Sequence, residues 1–214
     1  MKADEFLLII RYRAFLMQKE DLGYSFAIGL VVGLFLLPIL INTDLYSKLS
    51  APIVLAILFA GLPVIFTIGL ATAGFISKKI PLLWQFAKFA QVGFLNTAID
   101  FGILNFLIFV TGITSGLSII PLNAVSFSLA IINSFFWNEK WVFKAKKEAN
   151  FITFIAVTLI GLAINSGIVY VISTFVPPVF VDSQKLWTNL AKVLATGVSL
   201  IWNFMGYRLV VFKR

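Results

Sequence analysis

KFAQVGFLNTAIDFGILNFLIF, residues 88–109, is the stretch whose reading decides the fold. It is predominantly apolar on every side of a helix and carries a single acid, Asp100, at its middle. Polar and apolar residues do not alternate, which argues against a strand of a membrane barrel. A helix needs ~20 apolar residues to cross the hydrocarbon core, and Phe89–Thr111 supplies them. Five further stretches qualify: Tyr24–Ile41, Ala51–Ile76, Ile119–Trp137, Phe151–Val176 and Leu186–Val210. Ser50 as N-cap with Pro52 in the first turn opens the second span, and Pro177-Pro178 closes the fifth. Pro38 and Pro63 are candidate kinks.

The composition agrees. Of 214 residues, 60% are hydrophobic and 12% charged, against ~25% charged in a soluble domain. The mean hydropathy is +1.01. A soluble fold of this size could not bury so much apolar surface. With no His and no Cys, zinc sites and imidazole or thiolate catalysis are excluded. The expectation is an all-α integral membrane protein with six transmembrane helices.

Of the 17 basic residues, 14 fall in the N-terminal segment, the connections between spans two and three and between four and five, and the C-terminal end. Only Lys48, Lys185 and Lys192 fall on the other side. The positive-inside rule then places both termini in the cytoplasm of a plasma-membrane protein. The net charge of +8 reads as topology and attraction to anionic membrane lipids; nucleic acid is not an expected partner. Every charged residue except Asp100 and Lys192 reads as lying at or beyond a span end. Residues 1–22 carry an apolar run, Phe6–Met17, beside Arg11 and Arg13, and read as an N-terminal interfacial helix rather than a signal peptide. Pro81–Lys88, with Trp84, reads as a second short interfacial helix.

The chain repeats itself. Phe86-Ala-Lys-Phe89-Ala-Gln-Val92 aligns with Phe151-Ile-Thr-Phe154-Ile-Ala-Val157, and the same offset of 65 pairs Asp100 with Asn165 and Gly102 with Gly167. Beyond the next loop the offset is 69, which pairs Val142-Phe143-Lys144 with Val211-Phe212-Lys213. The last four spans thus read as two parallel-repeat helical hairpins, residues 86–144 and 151–213.

NAVSFSLAIINSFFWNEKWVFK (123–144) and NLAKVLATGVSLIWNFMGYRLVVFK (189–213) complete the two copies. Together with residues 88–109 and 151–173 they resemble the GtrA-like family, which includes the membrane domain of some dolichol- and polyprenyl-phosphate mannose synthases. The resemblance covers about residues 86–214. The family pattern places Asn, Phe, Asn, Arg, Trp and Phe at the end of each hairpin. Asn138, Trp141 and Phe143 fit it in the first copy, where Asn133 stands beside Ser134 at the leading position and Glu139 replaces Arg. The second copy keeps Asn203, Phe204, Arg208 and Phe212, with Tyr207 for the second Asn and Val210 for Trp. The organisation expected is an interfacial segment at 1–22, two extra spans at 23–80 that the resemblance does not reach, and a GtrA-like four-helix domain at 81–214.

The resemblance implies a protein that moves a polyprenyl-phosphate-linked monosaccharide across the membrane for cell-surface polysaccharide synthesis. A membrane partner that anchors a polyprenyl-phosphate glycosyltransferase is the alternative. Asp100 is the one acid inside a span, where a carboxylate costs on the order of 2.5–3.5 kcal/mol, and Asn96 shares its helical face. Asn165 is its counterpart. Lys192 lies roughly 9 Å into the last span, able to hold a phosphate or to snorkel. Asn133, Asn138, Lys140, Trp141, Asn203 and Arg208 mix amides, an aromatic and cations at the membrane boundary, as a phosphate-sugar headgroup would require. These ten residues are the candidate substrate site, though amides also join packed helices and aromatic belts occur in any membrane protein. No acids are spaced as a nucleotide-sugar metal motif needs, so neither catalysis nor a cofactor is expected. Gly29 and Gly33 form a GxxxG pair compatible with close packing or a homo-oligomer, but chance in a Gly-rich chain explains it more simply.

Overall fold

The computed structural model describes residues 19–42, 50–113, 117–145, 149–178 and 184–212. Six helices among them are long and apolar enough to cross a membrane. They are α1 (Lys19–Asn42), α2 (Ala51–Ile76), α3 (Pro81–Thr111), α4 (Ile119–Val142), α5 (Phe151–Phe175) and α6 (Gln184–Gly206, continued by a π-turn at Tyr207–Val211). No strand occurs among the described residues. The N-terminal interfacial helix expected over Phe6–Met17 lies outside them. Large apolar side chains point outward throughout: Phe75 is 72% exposed, Phe94 66% and Ile152 78%. In water such faces would aggregate; in hydrocarbon they are solvated. The protein is a multi-pass membrane protein.

The chain divides into two compact units, Met1–Val142 and Phe143–Arg214. In the first, α3 is the central helix, packed against α1, α2 and α4. Pro81 sits in its first turn, where a missing N–H is harmless, and Gly112 closes it with φ 70°, a left-handed cap conformation that suits glycine. The helix runs unbroken from Pro81, so the separate interfacial helix expected over Pro81–Lys88 does not exist. Trp84 is buried, not displayed at headgroup level.

Small residues set how closely α1 approaches its neighbours. A Cβ on Gly29 would strike the backbone of Pro63, and one on Gly33 the backbone of Leu58. The GxxxG pair is therefore a packing motif between α1 and α2 rather than a chance spacing. Gly102 of α3 gives way to Phe35 of α1 in the same manner. Gln91 ties three helices together: its Oε1 accepts from Ser25 Oγ at 2.8 Å, and its Nε2 donates to the Phe66 carbonyl at 2.7 Å.

α2 contains a π-turn at Ile57–Gly61, just before Pro63. Proline lacks the N–H that would bond four residues back, and the wider turn accommodates the gap. Two more π-turns end α4, at Asn138–Val142, and α6, at Tyr207–Val211.

In the second unit α5 packs against α6. Asn150 caps α5, its side chain accepting from the Thr153 N–H at 3.0 Å. Gly206 makes room for Val157, and Gly161 for the amide of Asn203.

Candidate functional site

In the first unit, charge gathers where α1 and α3 begin and α4 ends. Asp21 and Lys88 are 2% and 3% exposed, with Nζ 3.5 Å from Oδ1. The same oxygen accepts the Trp141 indole N–H at 2.8 Å. Lys88 Nζ donates to the Trp141 main-chain oxygen at 3.1 Å. It also lies 5.4 Å and 5.5 Å from the ring centres of Trp84 and Trp141, within cation–π range. Gln85 Nε2 donates to the Val142 oxygen at 3.2 Å. The last carbonyls of a helix have no acceptor role inside it, so side chains of α3 cap α4. Asp21 supplies the counter-charge without which a buried ammonium would be strongly disfavoured.

Beside this pair lies an open pocket of about 260 Å³, lined by Tyr24, Phe136, Trp137, Lys140 and Trp141. Its three largest rings meet edge to face. Tyr24 lies 5.8 Å from Trp137 at 82° and 6.0 Å from Trp141 at 70°, and the two indoles are 5.5 Å apart at 76°. Lys140 is exposed and pairs with Glu139 at 3.2 Å.

From this end a polar seam follows the α3–α4 contact. Asn133 Nδ2 donates to Asn96 Oδ1 at 2.7 Å, and Ser126 Oγ donates to Asp100 Oδ1 at 2.7 Å. Rising numbers on α3 meet falling numbers on α4, so the two helices are antiparallel. From Gln85 to Asp100 the seam spans about 22 Å at 1.5 Å per residue. Asn138 is buried; its Nδ2 donates to the Ser134 carbonyl at 2.8 Å, but its Oδ1 has no donor among the described residues.

The second unit carries the remaining candidates. Asn165 Nδ2 donates to Ser199 Oγ at 3.2 Å, and Thr158 Oγ1 shares a 2.6 Å hydrogen bond with the Tyr207 hydroxyl. Asn203 Oδ1 is a second buried acceptor with no donor among the described residues. Arg208 is half-buried in the π-turn. Around that turn the packing is aromatic. Phe154 stacks on Tyr207 at 4.5 Å, and Phe143 stacks on Phe212 at 5.0 Å. The Lys192 side chain lies outside the described residues.

The structure thus brings Asn96 to Asn133 and joins Asp100 to Ser126. Asn138, Lys140 and Trp141 share the π-turn that ends α4. Asp21, Tyr24, Trp137 and Lys88 were not among the sequence candidates. Lys88 and Asp21 read as boundary charges, and the burial of both corrects that reading. One signal was available: Trp84 and Lys88 are four residues apart, hence on one helical face. Among the described residues no group of three or more Asp or Glu side chains is placed to hold a metal ion.

Three comparisons bear on the chain. The GtrA/DPMS transmembrane domain family matches residues 88–212. The uncharacterised membrane protein YngA of Bacillus subtilis (strain 168) is 31% identical over 137 residues, which are 64% of this chain and 83% of that protein. No solved structure gives a significant match.

Proposed function

The chain belongs to the GtrA/DPMS transmembrane-domain family, and on that premise we propose that it moves a polyprenyl-phosphate-linked monosaccharide across the plasma membrane for cell-surface polysaccharide synthesis. Both termini face the cytoplasm in this reading, in keeping with the side on which most basic residues fall. The protein acts without catalysis and without a cofactor.

The observation that carries the proposal is the polar seam of the first unit. It starts beside an exposed lysine and an aromatic pocket and continues past Asn96–Asn133 to Asp100–Ser126. A sugar crossing hydrocarbon must exchange its water hydrogen bonds for others, since unpaired polar groups are costly there. The seam offers amides, a hydroxyl and a carboxylate in succession, while the isoprenoid tail stays in lipid. In each unit one buried amide oxygen, of Asn138 and of Asn203, has no donor among the described residues and is an acceptor for a hydroxyl. The second unit carries groups of the same kind, with Asn165 bonded to Ser199 and the cations Arg208 and Lys192.

We also take the two hairpins as copies of one unit. The π-turns that end α4 and α6 begin at Asn138 and Tyr207, 69 residues apart, the offset at which their sequences align.

The test is reconstitution of the purified protein alone in liposomes loaded with a lipid-linked hexose. Crossing above the protein-free rate is expected. If crossing stays at that rate and a polyprenyl-phosphate glycosyltransferase co-purifies, the protein is instead a membrane partner of that enzyme.

A further inference from the structure

We propose that α1, which lies outside the family-matched residues, completes the headgroup site: the hexose ring of the lipid-linked sugar lies in the open pocket against the cluster of Tyr24, Trp137 and Trp141, with Lys140 meeting its phosphate. The inference rests on the reading above for the class of ligand, and adds the place of recognition and the helix that sets its specificity.

Size comes first. A volume of about 260 Å³ falls below the ~300–1,000 Å³ of pockets that hold drug-sized ligands. A single sugar ring fits such a volume. Chemistry comes next. The three rings stand at 70–82° to one another, so their faces look in different directions. An aromatic face is electron-rich and attracts the weakly positive C–H bonds on the flat side of a pyranose. An interfacial belt does not account for the arrangement. Belt tryptophans direct their indole N–H to water and headgroups, whereas Trp141 is 3% exposed and donates to Asp21. Asp21 is thus a positioning residue that fixes one wall of the pocket, and Tyr24, one helical turn further along α1, forms another.

Charge selects the anion. Lys88 is neutralised by Asp21 inside the protein. Lys140 is 76% exposed at its side chain and pairs with the largely buried Glu139 at 3.2 Å. Its ammonium has three donors and exchanges readily between that carboxylate and a phosphate.

The experiment uses the full chain in nanodiscs and two probes: a ten-carbon isoprenyl phosphate hexose and the same isoprenyl phosphate without the sugar. Binding is read by equilibrium dialysis. Tyr24→Ala should weaken the sugar-bearing probe about tenfold and the bare phosphate by less than about twofold, with Tyr24→Phe near wild type. Tyr24 is 45% exposed, so the substitution is compatible with folding, and Trp137→Leu should give the same discrimination. Equal losses for both probes, or loss for neither, overturns the proposal, as does competition by a sugar-free lysophospholipid equal to that of the sugar probe. A wild-type protein that shows this discrimination yet moves no lipid would remove the translocation reading and leave the site standing.

Discussion

The ends of α4 and α6 meet the same difficulty with different chemistry. Each helix closes in a π-turn whose terminal carbonyls lack partners within the helix. In the first unit, side chains of α3 supply the donors: Lys88 bonds the Trp141 oxygen and Gln85 the Val142 oxygen, and Asp21 balances the charge. In the second, the Phe212 N–H bonds the Tyr207 oxygen that opens the turn, at 2.7 Å, and aromatic rings cover the turn. An ion pair requires its specific partner. A stack of rings degrades gradually as contacts are lost. The difference also separates roles: the first end leaves a pocket and an exposed cation, while the second is filled by Phe143, Phe154, Phe204, Tyr207 and Phe212, whose side chains are almost wholly buried.

The sharpest way to break the comparison is Asp21→Ala. It removes the counter-charge of a buried ammonium and the acceptor of an indole N–H, and should destabilise the protein by about 3–5 kcal/mol, measured by denaturation in detergent micelles. Asp21→Asn combined with Lys88→Met should recover most of that loss, because removing both charges removes the uncompensated one. A double variant as unstable as the single would mean that the pair is not the source of the effect. In the second unit, Phe154→Leu keeps an apolar side chain at a fully buried site, and its loss should reach only about 1.5 kcal/mol. A loss as large as that of Asp21→Ala would show that the aromatic end is as exacting as the charged one. Smallest of the three, Tyr207→Phe deletes the hydrogen bond to Thr158 and should lower stability by about 1 kcal/mol with the ring stack intact.

The spans were legible because a membrane helix is written in continuous apolarity, and α1 to α6 fall where the apolar runs fall. The motif residues Asn138 and Trp141 were legible too, through their order and spacing. Asp21 and Lys88 were not. Each lies within two turns of a helix start, where charge marks topology, and the contact between Asp21 and Trp141 joins residues 120 positions apart. No local pattern encodes such a meeting. The π-turns at the ends of α4 and α6 were hidden for another reason, since no residue type specifies them; only Pro63 gave a local hint, for the turn in α2. Gly29 and Gly33 carried a readable signal whose meaning depended on which helix faced them.

The most direct test of the account is the initial rate at which a lipid-linked hexose crosses liposomes that contain this protein alone, compared with a variant in which Asn96 and Asn133 are both leucine. Removing both partners leaves no unpaired amide, so folding should survive, while the seam loses a polar step. The account predicts wild-type crossing well above the protein-free rate, retained in Tyr207→Phe and abolished in the double leucine variant. Wild-type crossing at the protein-free rate, or a folded double leucine variant that transports as well as wild type, would contradict it.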